Sequence, residues 1–101
     1  MGHRILAHAE KGAYALWDAK TPGVAKTEFD AAVVALPSYE LAHYGLGAYF
    51  RQAALQRHDP ALLARSSDEF DKAAELDKNP ALATTARADN DRLASRVKAT
   101  P

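Results

Sequence analysis

Four histidines, an adjacent serine pair, an adjacent acidic pair and one Gly-x-Gly are the groups of this 101-residue chain whose types suit chemistry. Metal ligands on a helix need i, i+3 or i+4 spacing. His3 and His8 are five apart and fall on different faces, with no carboxylate to complete a ligand set. His43 sits in a packed stripe and reads as a core histidine bonded to a neighbour. Ser66-Ser67 and Asp68-Glu69 are adjacent on a predicted helix, where neighbours in sequence point apart. They form neither a nucleophile–base pair nor a carboxylate pair. Gly45-Leu46-Gly47 is too short for a dinucleotide loop and lies inside a predicted helix. No cysteine is present, so disulfides and thiolate metal sites are out. The expectation is a protein that is not an enzyme and has no metal and no cofactor.

The same glycines point to packing. Leu46, Gly47, Phe50 and Ala54 recur at helical spacing on the stretch Leu41–Phe50 and beyond. A glycine inside such a stripe costs about 1 kcal/mol relative to alanine, so Gly47 predicts a neighbouring helix too close for a side chain. Tyr44, Ala48 and Arg51 fall on another face. This helix is expected to pack on the helices before and after it and to line a groove with its remaining face.

Five helices are predicted and no strand. Helix one covers about residues 4–20, with Ile5, Leu6, Ala9, Ala13 and Leu16 at helical spacing. Thr21-Pro22 then supplies an N-cap and a first-turn proline for helix two, whose apolar face is Ala25, Phe29, Ala32, Val33 and Leu36. Pro37 stops it and Ser38 is placed to cap helix three, about residues 39–57. Asp59-Pro60 opens helix four, with Leu62, Leu63, Ser66, Phe70, Ala73 and Leu76 inward. Asn79-Pro80 opens helix five, which runs to about Lys98 with Leu82, Ala86, Leu93 and Val97 on one thin stripe. Such a thin stripe suits the cap of a stack.

The bulk numbers bound the partners. One hundred and one residues allow one domain, spanning 1–101. Thirteen basic and thirteen acidic residues balance, without the basic excess of a nucleic-acid binder. Arg87, Arg92, Arg96 and Lys98 are interrupted by Asp89 and Asp91 and read as a solvated face. No run approaches the ~18–20 apolar residues of a membrane span. The start lacks a signal-peptide core, which favours the cytoplasm over the periplasm. Heavy alanine use suggests a GC-rich bacterial genome and closely packed helices.

Phe29-Asp30-Ala31-Ala32 returns 41 residues later as Phe70-Asp71-Lys72-Ala73. Upstream of each lies a helix with a small residue in its stripe, Ala13 or Gly47, and downstream a proline, Pro37 or Pro80. Tyr44–Phe50 contains a Leu-Gly-x-x-Phe piece, and Phe70–Asp77 a Phe-x-x-Ala-x-x-Leu-Asp piece. These residues resemble the tetratricopeptide repeat (TPR), antiparallel helix pairs with a unit of about 34 residues. Phe29, Ala32 and Pro37 match its pattern, whereas Gly12 stands where leucine is usual. Repeat one would cover about 6–39 and repeat two about 40–79. The second is longer by about seven residues, close to two turns, so it can lengthen the hairpin without rotating the packed faces. A capping helix, about 80–98, would follow. The implied fold is an all-α helix-hairpin stack, an α-solenoid.

The resemblance implies an inner face lined by the first helix of each pair. That assigns Glu10, Lys11, Tyr14 and Trp17, then Leu41, Tyr44, Ala48, Arg51 and Gln52, to a groove for a peptide or helix of a partner protein. A subclass of the family grips C-terminal carboxylates with Lys, Arg and Asn. Lys11 and Arg51 would imitate two of these, but Tyr14 and Ala48 stand where asparagines belong. The expected function is non-catalytic protein–protein interaction. The alternative is self-assembly to a homodimer through Ile5, Leu6 and Trp17, or service as one piece of a longer TPR scaffold.

Overall fold

The computed structural model describes residues 2–18 and 20–98, and side chains from His8 onward except that of Asp18. Ile5, Leu6 and His3 are thus outside the described side chains. The elements are α1 (Gly2–Ala13), a wider π turn continuing it (Tyr14–Asp18), α2 (Pro22–Ala35), α3 (Glu40–Arg57), α4 (Pro60–Leu76) and α5 (Ala81–Lys98). No strand occurs among the described residues. Each helix packs on the next in sequence, and α3 also touches α1 and α5. The extents are 48 × 28 × 20 Å. The shortest is about two helix diameters, so the core is thin.

Thinness explains the use of small residues. Ala9, Ala15, Ala25, Ala32, Ala42, Ala53, Ala54, Ala73, Ala83 and Ala86 are all buried. Larger side chains are few, and each needs a seat. Phe29 of α2 lies over two glycines, Gly12 of α1 and Gly45 of α3. Cβ atoms built there would come within 2.8 and 2.3 Å of its ring. Phe70 of α4 lies over Gly47 in the same way, at 2.6 Å. The close approach expected at Gly47 is therefore real. Gly12, a departure from the TPR pattern, serves the first phenylalanine as Gly47 serves the second. Ala15, Leu16, Ala25, Leu46 and Phe50 complete the cluster around Phe29, while Ala54, Leu63 and Val97 form a second cluster.

The helix ends match the expected devices unevenly. Asp59 caps α4 as expected, its Oδ1 accepting from the Ala61 N–H at 2.9 Å. Thr21 stands at the N-cap of α2, but its hydroxyl makes no capping bond and leans 3.4 Å toward the Ala15 carbonyl. Ser38 does not cap α3. The chain enters that helix through Tyr39 in extended conformation. Asn79 does not cap α5 either. Its N–H donates to Asp77 Oδ1 at 2.9 Å, and the Pro80 carbonyl accepts from Thr84 N. Leu36 and Leu82, both expected inward, are exposed. The buried face of α5 is Ala83, Ala86, Asn90 and Val97. This is one residue out of step with Leu82.

At the end of α3, His58 is left-handed at φ 51°, and Asp59 N donates to Ala54 O at 3.1 Å. This six-to-one bond is the Schellman ending, in which glycine is preferred. A side chain in that region costs roughly 1–2 kcal/mol, and His58 is exposed. We expect His58→Gly to stabilise the fold by about 0.5–1 kcal/mol, measured by urea unfolding. A stability loss would show that the imidazole has a structural task.

Candidate partner-binding groove

Three elements distant in sequence meet around Trp17. Trp17 lies within the π turn, Tyr14–Asp18, which interrupts the α-helical register of α1. Such turns rotate the following side chains relative to the helix they extend. Ala15 and Leu16 are buried, while Trp17 keeps 44% of its surface exposed and meets Phe29 only edge-on, at 6.4 Å between ring centroids. Leu41 and Tyr44 lie one turn apart on α3, and Leu82 and Ala83 come from the start of α5. With Tyr39, Glu40, Ala73 and Asp77 these side chains line a depression of about 450 Å³. A second hollow of about 460 Å³ is lined by Trp17 together with Leu16, Lys20, Pro22, Gln52 and Gln56. Trp17 thus lines both hollows.

The expected groove residues divide accordingly. Trp17, Leu41 and Tyr44 come together in the first depression. Gln52 joins Trp17 in the second. Glu10 and Lys11 are exposed on α1, and Tyr14 is exposed at 62% without lining either hollow. Ala48 is half-buried against the Phe29 cluster. Arg51 is turned to α5, where Nε donates to Asn90 Oδ1 at 2.7 Å and Nη2 to the Ala86 carbonyl at 2.5 Å. Its guanidinium also stacks over Phe70, 4.9 Å from the ring centroid. Tyr39, Glu40, Asp77 and Leu82 belong to the depression but were not among the expected residues. Their signal was weak, because all four sit at or near helix ends, where periodicity does not set direction.

Tyr44, one of the lining residues, is backed by the core. Tyr44 lies on Phe70 with ring centroids 5.3 Å apart, and Phe70 is held in the Gly47 seat. The rim is acidic. Among the described residues no lysine, arginine or histidine lines the depression, whereas Glu40 and Asp77 do. Tyr39 registers this field. Its phenol is raised above the ordinary value, first by burial and then by the charges of Glu40 and Glu10.

Two of the histidines, His8 and His43, are in structural pairs. His8 Nδ1 meets Glu28 at 2.5 Å, tying α1 to α2. His43 is buried, as expected. Its Nε2 donates to the Pro37 carbonyl at 2.7 Å, and Nδ1 faces the Glu69 carboxylate at 3.1 Å. One side chain thus fixes the α2–α3 connection to α4. Among the described residues no three His, Asp or Glu side chains gather as metal ligands would. Among the described residues no helix is long and apolar enough to cross a membrane. Compared with protein-family models, with curated proteins and with solved structures, the chain gives no match.

Proposed function

We propose that this chain is a non-catalytic protein–protein interaction module: two TPR-like helix pairs with α5 as a cap, holding a peptide or helix of a partner in the groove beside Trp17. The observation that carries the reading is the depression lined by Trp17, Leu41, Tyr44 and Leu82, large apolar side chains left accessible around a concave surface. A soluble fold has little reason to concentrate such residues in a hollow unless something fills it. The order of helix contacts supports the same reading. Contact of α3 with both α1 and α5 is what a stack with first helices side by side requires.

A peptide library displayed on phage provides the partner segment for the test. Trp17→Ala is expected to weaken a selected peptide by about 30-fold or more, the scale of an aromatic hot spot, with helicity by circular dichroism unchanged. Equal binding by wild type and Trp17→Ala would remove the groove assignment. Arg51 is unsuitable for this test, because its truncation would disturb α5.

Val34, exposed at 84%, and the exposed Val24 and Tyr14 favour self-assembly as a second reading. Solution mass by light scattering, at two concentrations about tenfold apart, separates the two. The groove reading expects a monomer at both, and self-assembly a dimer that dissociates on dilution.

A further inference from the structure

The depression beside Trp17 combines two features that select for the same ligand chemistry. Three of its walls are aromatic, from Trp17, Tyr39 and Tyr44. The faces of such rings carry negative electrostatic potential and attract cations, tryptophan most strongly. The charged groups on the lining are both carboxylates, Glu40 and Asp77. This bias is local, because the whole chain has a formal net charge of zero. Tyr39 reports the same sign of field, its phenol raised in part by Glu40 and Glu10. Lys20 lines the hollow that shares Trp17 with this depression, and is not among the residues lining the depression itself. Leu41 and Leu82 supply apolar surface next to the aromatic walls.

We infer that this depression receives a basic side chain of the partner segment, lysine or arginine, with its charged head between the aromatic walls and the Glu40 and Asp77 carboxylates and a flanking apolar residue on Leu41 and Leu82. The inference rests on the groove reading and names the chemistry of its occupant. A cavity of about 450 Å³ has room for one long side chain and part of its neighbour. The aliphatic stem of lysine or arginine suits the apolar lining, while the head meets the acids at the rim. An acidic segment would face two carboxylates with no cation among the described lining residues to answer it. A purely apolar segment would leave those carboxylates desolvated and unpaired.

The test uses the whole chain against random 12-residue peptides displayed on phage, with Trp17→Ala as counter-selection. The expected result is a set of Trp17-dependent peptides enriched in lysine or arginine beside an apolar residue. Replacing that basic residue by glutamine in the synthetic peptide should weaken binding at least tenfold, followed by fluorescence of Trp17, the only tryptophan in the chain. In Glu40→Gln/Asp77→Asn the same replacement should make less than a threefold difference. Asparagine at 77 retains an acceptor for the Asn79 N–H, so the turn before α5 is kept. Trp17-dependent peptides without basic enrichment, or enriched in acids, would overturn the cationic inference and leave the groove standing. A library yielding no Trp17-dependent binder would overturn the groove reading and the inference with it.

Discussion

Replacing Gly45 with alanine will destabilise this protein by about 2–4 kcal/mol, although the same change inside an exposed helix is favourable by about 1 kcal/mol. The sign is reversed by Phe29. A Cβ at position 45 would come 2.3 Å from two atoms of its ring, a separation that real side chains do not tolerate. The ring cannot retreat. Gly12 closes on it from α1 at 2.8 Å by the same measure, and the side chain is fully buried. One methyl group therefore has to part α2 from α3, or turn Phe29 off its rotamer. For a domain of this size the midpoint of thermal unfolding should fall by about 10–20 °C. Gly23→Ala is the control. Nothing lies within 4 Å of its would-be Cβ, so it should stabilise by about 0.4–1 kcal/mol. Phe29→Leu in the Gly45→Ala background should restore part of the loss, and the coupling in that double-mutant cycle measures the clash. A Gly45→Ala protein as stable as wild type would mean that the α2–α3 spacing is not set by this contact.

Gly45 also shows where reading the sequence reaches its limit. The stripe Leu46, Gly47, Phe50 and Ala54 was legible because periodicity fixes which residues share a face. A glycine in that stripe announces a close neighbour, but spacing cannot say which side chain fills the gap. For Gly47 that side chain is Phe70, and for Gly45 and Gly12 it is Phe29, contacts decided only when helices pack. Asn90 misleads for the opposite reason. Its type, between Asp89 and Asp91, suggests the solvated side, whereas its position continues the face of Ala83, Ala86 and Val97. Position was the better guide, and Leu82, one step off that face, is exposed at 67%. Caps divided similarly. Asp59 could be read because aspartate before proline has one good use. Ser38 could not, because the chain reaches α3 through an extended Tyr39. Trp17, Leu41 and Tyr44, which only the resemblance to the tetratricopeptide repeat singles out as a set, line one depression. Glu40 and Asp77 were not legible, because they flank helix ends brought together only by the fold.

Removing Asn90 is expected to cost about 2–4 kcal/mol, through hydrogen bonds rather than volume. Its side chain is 1% exposed and joins three helices. Nδ2 donates to Ser66 Oγ at 2.9 Å and to Ser67 Oγ at 3.1 Å, while Oδ1 accepts from Arg51 Nε at 2.7 Å. Ser66 Oγ in turn donates to the Gly47 carbonyl at 2.6 Å. The chain of bonds runs from α5 through α4 to the backbone beside the Phe70 seat, and among the described residues no buried side-chain nitrogen or oxygen lacks a partner. Asn90→Leu keeps roughly the side-chain volume but leaves Arg51 Nε without its acceptor, a charged donor in a half-buried place. Asn90→Ala adds a cavity to the same loss. If hydrogen bonding dominates, the two variants should be destabilised to within about 1 kcal/mol of each other. Urea unfolding of Asn90→Ala, Arg51→Ala and the double variant should give a coupling of about 1–2 kcal/mol, with little change in slope. Additive losses would mean that Arg51 and Asn90 act separately, and a fully stable Asn90→Leu would mean that the site needs only bulk. The consequence reaches the groove, because α5 carries Leu82 and Ala83 into its wall. A variant that loosens α5 should therefore weaken peptide binding without touching a groove residue. Asn90→Leu should do so more than His58→Gly, which alters a helix end outside the groove lining.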